Sequence, residues 1–206
     1  MSSTSSRSRS TRSADLPSPA PTPPSSWRGR RFVRVSVTIR RARTKDVWAI
    51  RDLVAPLAER RVLVSKDTVA YFEGLQEFRI AEIDGVVVGC GALHVMWEDV
   101  AEIRTLAVAD AHLGKGVGGT LLRTLTTDAV ELGVQRLFCL TFETDFFTRH
   151  GFVEIDGQAV DPEVYVELLH SYDEGVAEFL DLERVKPNTL GNSRMLKQLG
   201  PQDGRA

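Results

Sequence analysis

A glycine-rich run separates an apolar, strand-like segment from a helical pattern. The run reads Leu113-Gly114-Lys115-Gly116-Val117-Gly118-Gly119. Glycines let a backbone approach a ligand closely, and the free N–H groups at the start of a helix suit phosphate oxygens. Lys115 adds a positive charge. The run predicts a turn that binds a phosphorylated ligand, and a turn needed only for tight strand–helix packing is the alternative.

Two common phosphate motifs describe this run poorly. The Gly-Lys-Ser/Thr ending of a P-loop is absent. Gly114, Gly116 and Gly119 have the spacing of the dinucleotide fingerprint. The acidic residue expected about 20 residues further on is missing, because that region is the apolar segment around Cys139.

The segment before the run carries a carboxylate and a guanidinium. If the strand has no bulge, alternation places Glu102, Arg104, Leu106 and Val108 on one face. A carboxylate such as Glu102 on that face could exchange a proton with a reacting group; the alternative is an exposed strand residue paired with Arg104. Arg104 could bind a substrate carboxylate through two hydrogen bonds, or it could only balance charge on the strand.

Other polar side chains that could bind a carboxylate lie far from this strand in the sequence. They are Lys66, Lys186, Asn192 and Arg194. Taken singly, such a cation is more often a solvated surface charge than a ligand contact.

The elements that must position these residues follow from hydrophobic periodicity and turn residues. Strands are predicted over 35–41, 78–83, 86–96, 100–109, 136–141 and 193–199. Helices are predicted over 44–61, 66–76, 117–132, 146–150 and from 162 toward 170. Thr44 is the expected cap of the first helix, and Pro56 should kink or break it. The order predicts a mixed α/β domain with a central sheet.

Composition divides the chain into unequal parts. Residues 1–34 hold seven arginines against one acidic residue, with many serines and prolines, and predict a disordered extension. The domain is expected over 35–200, with a flexible C-terminus over 201–206. The whole chain has a net charge of −2, so the domain is acidic. An acidic domain argues against nucleic-acid binding, which needs a basic face.

Cysteine content and hydropathy favour a cytoplasmic protein. The two cysteines, Cys90 and Cys139, stand in apolar runs, without the spacing of a metal site or a disulfide framework. No apolar run approaches the roughly 20 residues that span a bilayer. We therefore expect reduced core thiols, no metal and no membrane contact. The oligomeric state stays open, with a homodimer as one option.

Two motifs in this order resemble the GNAT acetyltransferase superfamily over about residues 37–155. Leu113-x-x-Gly116-x-Gly118 is similar to the family pattern Arg/Gln-x-x-Gly-x-Gly/Ala, except that Leu113 replaces the first residue. Phe146-Phe147-Thr148-Arg149-His150-Gly151-Phe152 resembles the Phe-Tyr-x-x-x-Gly-Phe segment after the fifth strand. The resemblance implies the acyl-CoA N-acyltransferase fold, a mixed central sheet flanked by helices, with acetyl-CoA as co-substrate.

The resemblance also implies roles for individual residues. Glu102 would be the base, and the N–H of Leu106 would bind the acyl carbonyl. Phe147 replaces the usual tyrosine that protonates the leaving thiolate, so the general acid is undetermined. The residues expected to contact acetyl-CoA are Leu106, Ala107, Val108, Leu113, Gly114, Lys115, Gly116, Val117, Gly118, Gly119 and Phe147.

The chain further resembles the short, actinobacterial-type N-acetylglutamate synthases. The resemblance rests on 89–95, 101–108, 140–152 and the tail 185–196. It implies acetylation of the α-amine of L-glutamate, the first step of arginine biosynthesis, with Lys66, Arg104, Lys186, Asn192 and Arg194 as substrate contacts. The alternatives are a GNAT enzyme for another amine (a protein N-terminus, lysine or a polyamine) and a non-catalytic acetyl-CoA sensor.

Overall fold

Strand-forming segments of the chain assemble into one mixed sheet with helices on both faces. The computed structural model describes residues 36–60, 62–63, 66–182 and 191–200. The predicted extension over 1–34 and the predicted C-terminus over 201–206 lie outside these residues. The strands are β1 (Thr38–Arg41), β2 (Phe78–Ile83), β3 (Val86–Val95), β4 (Val100–Val108), β5 (Arg136–Thr141), β6 (Val153–Glu154) and β7 (Ser193–Gln198). The α-helices are α1 (Val47–Glu59), α2 (Thr68–Glu73), α3 (Val117–Glu131), α4 (Thr144–Arg149), α5 (Pro162–Leu168) and α6 (Glu174–Phe179).

The sheet is mixed, with one parallel pair of strands at its centre. Its strand order is β1-β2-β3-β4-β5-β7-β6. Neighbours pair antiparallel except β4 and β5, which are parallel. That parallel pair follows from the helical crossover through α3, since parallel neighbours need a long connection.

Apolar side chains cover both faces of the sheet. On one face, Leu122 and Leu125 of α3 pack with buried residues of β4 and β5. On the other face, Ile50 of α1 packs against β2 and β3, while Phe179 of α6 packs on Phe138 of β5. The part of this second face between α1 and α6 carries polar side chains, and the site described below is built there.

The predicted mixed α/β fold is confirmed, with differences at particular residues. Thr44 does not cap the first helix. Instead the buried Asp46 accepts the N–H of Arg43 at 2.7 Å and pairs with Arg40 at 2.6 Å. Pro56 lies inside α1, which continues to Glu59, so the proline does not break it.

Two elements were not predicted from the sequence. The strand β6 has two residues and pairs with β7 at the sheet edge. The helix α6 has six residues and follows Asp173. Both are too short for a clear periodic pattern, which needs a longer window. Within the described part of the chain, no helix combines the length and apolar character required to cross a membrane.

Candidate active site

A cleft opens in the middle of the sheet because β4 and β5 separate. The two strands pair only from Val100 opposite Arg136 to Glu102 opposite Phe138. Beyond Glu102 they diverge, and the cleft between them has a volume of about 920 Å³. Its walls include the rest of β4, the glycine-rich turn, the start of α3 and the segment after β5.

The glycine-rich turn forms one end of the cleft. Gly114 and Gly116 adopt φ of 71° and 80°, a left-handed conformation that favours glycine. Apart from their chain neighbours, no atom of the described residues lies within 4 Å of where their Cβ atoms would stand, so the backbone is open toward the cleft. Gly116 is also the residue from which α3 starts. The first N–H groups of α3 and the charge of Lys115 suit a phosphate at this end.

Other predicted acetyl-CoA contacts lie around the turn. Leu113 is 60 % exposed beside it. Phe146 and Val108 lie 3.6 Å from where a Cβ on Gly118 would stand, which is ordinary van der Waals contact. Phe147 is buried, lines the cleft and stacks edge-to-face on Phe152 at 5.1 Å.

A bulge in β4 overturns the predicted alternation of its side chains. Ala92 pairs with Arg104 and Cys90 with Ala107, so two residues of β4 stand opposite one of β3. Thr105, in this bulge, has φ of 55°, a strained conformation for a β-branched residue.

Because of the bulge, the four side chains expected on one face of β4 lie on two faces. Glu102 and Arg104 face the side of α1 and α6, whereas Leu106 and Val108 face α3, where they pack with its buried residues. One common face was predicted only for a strand without a bulge, and β4 does not meet that condition. Leu106, Ala107 and Val108 still line the cleft through the part of β4 that follows the bulge.

Glu102 lies where the two strands begin to diverge. It is 5 % exposed, and its Oε2 has no hydrogen-bond partner among the described residues. Burial raises the pKa of Glu102 to about 7, against the opposing charge of Arg104. A carboxyl with this pKa at the edge of a cleft can take a proton at neutral pH.

Arg104 lines the cleft, but acidic residues of this chain already bind it. Its Nη1 donates to Asp173 at 2.9 Å and its Nη2 donates to Glu77 at 3.0 Å. His94 contacts the same Glu77 at 2.7 Å. These bonds indicate that Arg104 orders the site, which is the charge-balancing alternative that the sequence left open.

The other predicted substrate residues divide by position. Lys66 is exposed and lines the cleft, and Asn192 lines it with a buried Oδ1 that has no hydrogen-bond partner in the described part of the chain. Arg194 does not line the cleft; its guanidinium donates to the carbonyls of Gly157 and Phe179. Lys186 lies outside the described residues.

Sequence reasoning missed several groups in or behind the site. Asp173 and Glu77 bind Arg104, and the backbone of Gly175 packs directly on the Glu102 carboxylate. The available signal was Asp173-Glu174-Gly175, where an aspartate precedes a short apolar helix, as a capping residue does. Nothing local in the sequence linked that cap to β4.

Reduced core thiols were predicted from the sequence, and no metal site was expected. Cys90 and Cys139 are free and buried, as expected. Burial raises the pKa of the Cys139 thiol, with the nearby Glu102 adding to the effect. Across residues 36–182 and 191–200, apart from the undescribed 61 and 64–65, no group of three or more His, Cys, Asp or Glu side chains could hold a metal.

Comparison with known proteins agrees with this geometry. The profile of the Acetyltransferase (GNAT) family matches residues 47–152. The amino-acid acetyltransferase of Mycobacterium tuberculosis is 55 % identical over 161 residues, which cover 77 % of this chain and 92 % of that protein.

Two solved structures have the same fold. The crystal structure of Rv2747 from Mycobacterium tuberculosis in complex with CoA is 54 % identical, with a TM-score of 0.76 over 79 % of this chain and 99 % of that one. The N-acetylglutamate synthase from Neisseria gonorrhoeae, complexed with coenzyme A and N-acetyl-glutamate, is 26 % identical with a TM-score of 0.65. The match covers 81 % of this chain but 36 % of that larger enzyme. The predicted fold is thus confirmed, and this chain belongs to the Acetyltransferase (GNAT) family.

Proposed function

We propose that the chain is an amino-acid N-acetyltransferase that transfers the acetyl group of acetyl-CoA to the α-amine of L-glutamate. One observation carries this proposal: the buried Glu102 carboxylate, whose Oε2 has no partner among the described residues, faces a cleft whose other end is the open glycine-rich turn. The relative complexed with coenzyme A and N-acetyl-glutamate, a second relative complexed with CoA, and the relative that is an amino-acid acetyltransferase favour the same reaction.

The proposed reaction assigns a task to each end of the cleft. The backbone of Gly114–Gly118 and the start of α3 bind the pyrophosphate of acetyl-CoA. Glu102 accepts a proton from the substrate ammonium, and the free amine attacks the thioester carbonyl. The N–H of Leu106 stabilises the oxyanion. CoA then leaves as a thiolate, and the acetylated nitrogen gives up its second proton to solvent. The thiolate takes its own proton from solvent, because Phe147 has no proton to donate.

Recognition of a free amino acid needs partners for its charges. Lys66 supplies a cation beside the cleft, and the Asn192 Oδ1 can accept a hydrogen bond from the substrate, since it has no partner among the described residues. We retain Lys186 as a substrate contact from the sequence alone. Arg104 is bound to Asp173 and Glu77, so we propose that it affects the substrate only indirectly. Arg194 does not line the cleft, so we do not propose it as a substrate contact.

The substrate experiment is a steady-state assay of CoA release with L-glutamate, L-glutamine, L-aspartate, lysine, spermidine and a short peptide as acceptors. The expected result is the highest kcat/KM for L-glutamate, with the N-acetyl product identified by mass spectrometry. Turnover of lysine, spermidine or the peptide alone would assign the chain to another GNAT activity. Binding of acetyl-CoA without any turnover would indicate a sensor, the alternative that Phe147 favours.

The wider role follows from this reaction and is part of the proposal. Formation of N-acetylglutamate would place the chain at the first step of arginine biosynthesis. The free, buried cysteines suit the reducing cytoplasm. We propose action there on small molecules, without nucleic-acid or membrane partners, and a homodimer as the assembly to test by sedimentation.

A further inference from the structure

The guanidinium of Arg104 lies among three carboxylates from different parts of the fold. Its Nη1 is 2.9 Å from Asp173 Oδ2 and 3.7 Å from Glu102 Oε2, while its Nη2 is 3.0 Å from Glu77 Oε2. Asp173 and Glu102 therefore both lie near the same nitrogen, with Asp173 the nearer. Among the described residues, Asp173 has the hydrogen bond, and Glu102 has none at Oε2.

The second oxygen of Asp173 fixes the backbone beside the base. Its Oδ1 accepts the N–H groups of Gly175 at 2.8 Å and Val176 at 3.2 Å. These bonds hold the first turn of α6 against β4. A Cβ on Gly175 would overlap Glu102 Oε2, so the backbone of Gly175 forms a wall against the Glu102 carboxylate.

We propose that Asp173 is a positioning residue for Glu102: it holds the Arg104 nitrogen away from the Glu102 carboxylate and sets the wall of α6 against it. The inference rests on the proposed function, because it assumes that Glu102 is the base. Without Asp173, Nη1 would be free to donate to Glu102. A carboxylate bound to a guanidinium is a weaker base, so transfer would slow.

The charges around Arg104 agree with this arrangement. Burial opposes the ionisation of Asp173, but the hydrogen bond and charge of Arg104, together with the charge of His94 and the N–H of Val176, keep the pKa of Asp173 below its ordinary value. Burial likewise opposes the ionisation of Glu77, and its bonds to His94 and Arg104 keep its pKa low. Both acids are thus charged at neutral pH and neutralise Arg104.

Every element packed around Glu102 contributes to its titration. The charged or titratable groups that face it are Arg104 on β4, Asp173 before α6, Lys66 before α2, His94 on β3 and the Cys139 thiol on β5. Arg104, Lys66 and His94 lower the pKa of Glu102, whereas Asp173 raises it. Loss of the Asp173 charge should therefore lower that pKa.

The first test is Asp173→Asn, whose side-chain oxygen can still cap α6. The acid limb of kcat/KM against pH should move to lower pH by about one pH unit, the usual effect of a charge at this range. The plateau at high pH should fall, with the acetyl-CoA KM unchanged. An acid limb that stays in place or moves to higher pH in the folded variant would overturn the proposal.

Glu77→Gln is the matched control, because it removes an equal charge from the other nitrogen of the same guanidinium. Nη2 is not the nitrogen that lies near Glu102, so the acid limb should move less than in Asp173→Asn. Equal movement in the two variants would show that Asp173 has no particular role. Should Asp173→Asn fail to fold, Asp173→Ser keeps a capping hydroxyl without the charge and gives the same reading.

A direct titration separates this inference from the proposed function. Carbon NMR of labelled glutamate side chains, with Glu102→Gln for assignment, follows the Glu102 carboxyl without any turnover. The midpoint should lie lower in Asp173→Asn than in the unchanged protein. If the protein acetylates no amino acid but the midpoint moves as expected, only the proposed function fails; if amino acids are acetylated and the midpoint does not move, only the role of Asp173 fails.

Discussion

The two ends of the cleft are built in opposite ways. The glycine-rich end is one contiguous stretch, in which the proposed contacts to acetyl-CoA come from the backbone. The Glu102 end gathers side chains from β4, β3, the turn before β2 and the residue before α6, and these are up to 96 positions apart between Glu77 and Asp173. A site formed by one local stretch of backbone tolerates substitutions elsewhere in the chain. A site formed by side chains from several elements depends on the packing of the whole fold.

The largest effect should come from Glu102, one of the carboxylates at the converging end. Glu102→Gln should lower kcat/KM by about 10²-fold or more at neutral pH, because the ammonium then has no base. Steady-state kinetics from pH 6 to about 10 would measure it. Recovery of rate at high pH, where the amine deprotonates unaided, is the control. Full activity of the variant at neutral pH would show that Glu102 has a structural role only, and the proposed difference between the two ends of the cleft would fail.

A pair of lysine variants should separate the two ends. Lys66→Met removes a cation at the substrate end, and the amino-acid KM should rise by roughly ten- to a hundredfold, as for a lost charge-assisted contact. Lys115→Met should instead raise the acetyl-CoA KM. Both constants are measured for both variants. If both variants changed the same KM, the cleft would not have separate ends for the amino acid and for acetyl-CoA.

The backbone end should respond to strain at one glycine. Gly116 and Gly133 have φ of 80° and 87°, and the space around either Cβ position is open among the described residues. Valine at either position should cost about 1–3 kcal/mol of stability. Only Gly116→Val should raise the acetyl-CoA dissociation constant, by about tenfold, because Gly133 lies at the other end of α3. Calorimetry that finds equal binding in the two folded variants would contradict the turn assignment.

The smallest effect concerns stability and its dependence on pH. Burial raises the pKa of Glu102 from 4.5 to about 7, so between these values the folded protein binds more protons than the unfolded chain. The stabilisation is present at low pH and is lost as pH rises through about 7. Glu102→Gln avoids this loss and should be more stable than the unchanged protein above pH 7, by about 1–3 kcal/mol.

Urea unfolding between pH 4 and about 8 measures that difference. Glu154→Gln, which removes an exposed acid on β6, is the control and should leave the pH dependence nearly unchanged. A Glu102→Gln variant that is less stable at every pH would mean that the carboxylate holds the site together instead of straining it.

Much of the fold could be predicted from the sequence, because the patterns that indicate its strands and helices involve only neighbouring residues. The strand β5 and the start of α3 have the predicted limits, since an apolar run and a glycine-to-helix transition each need only neighbouring residues. The strand β2 likewise has its predicted limits, 78–83. The bulge at Thr105 could not be predicted, because it exists only in the register of β4 against β3.

The sequence by itself determined the glycine-rich turn, the presence of a carboxylate on β4 and the family resemblance that joined them. Each depends on residue types at short spacing, where backbone geometry is nearly set by the residues themselves. Only the tertiary structure decided that Arg104 donates hydrogen bonds to Asp173 and Glu77. It likewise decided that Arg194 does not line the cleft and that Glu102 is buried against Gly175. Those outcomes depend on distances between residues remote in sequence, which are fixed when the sheet and its helices pack.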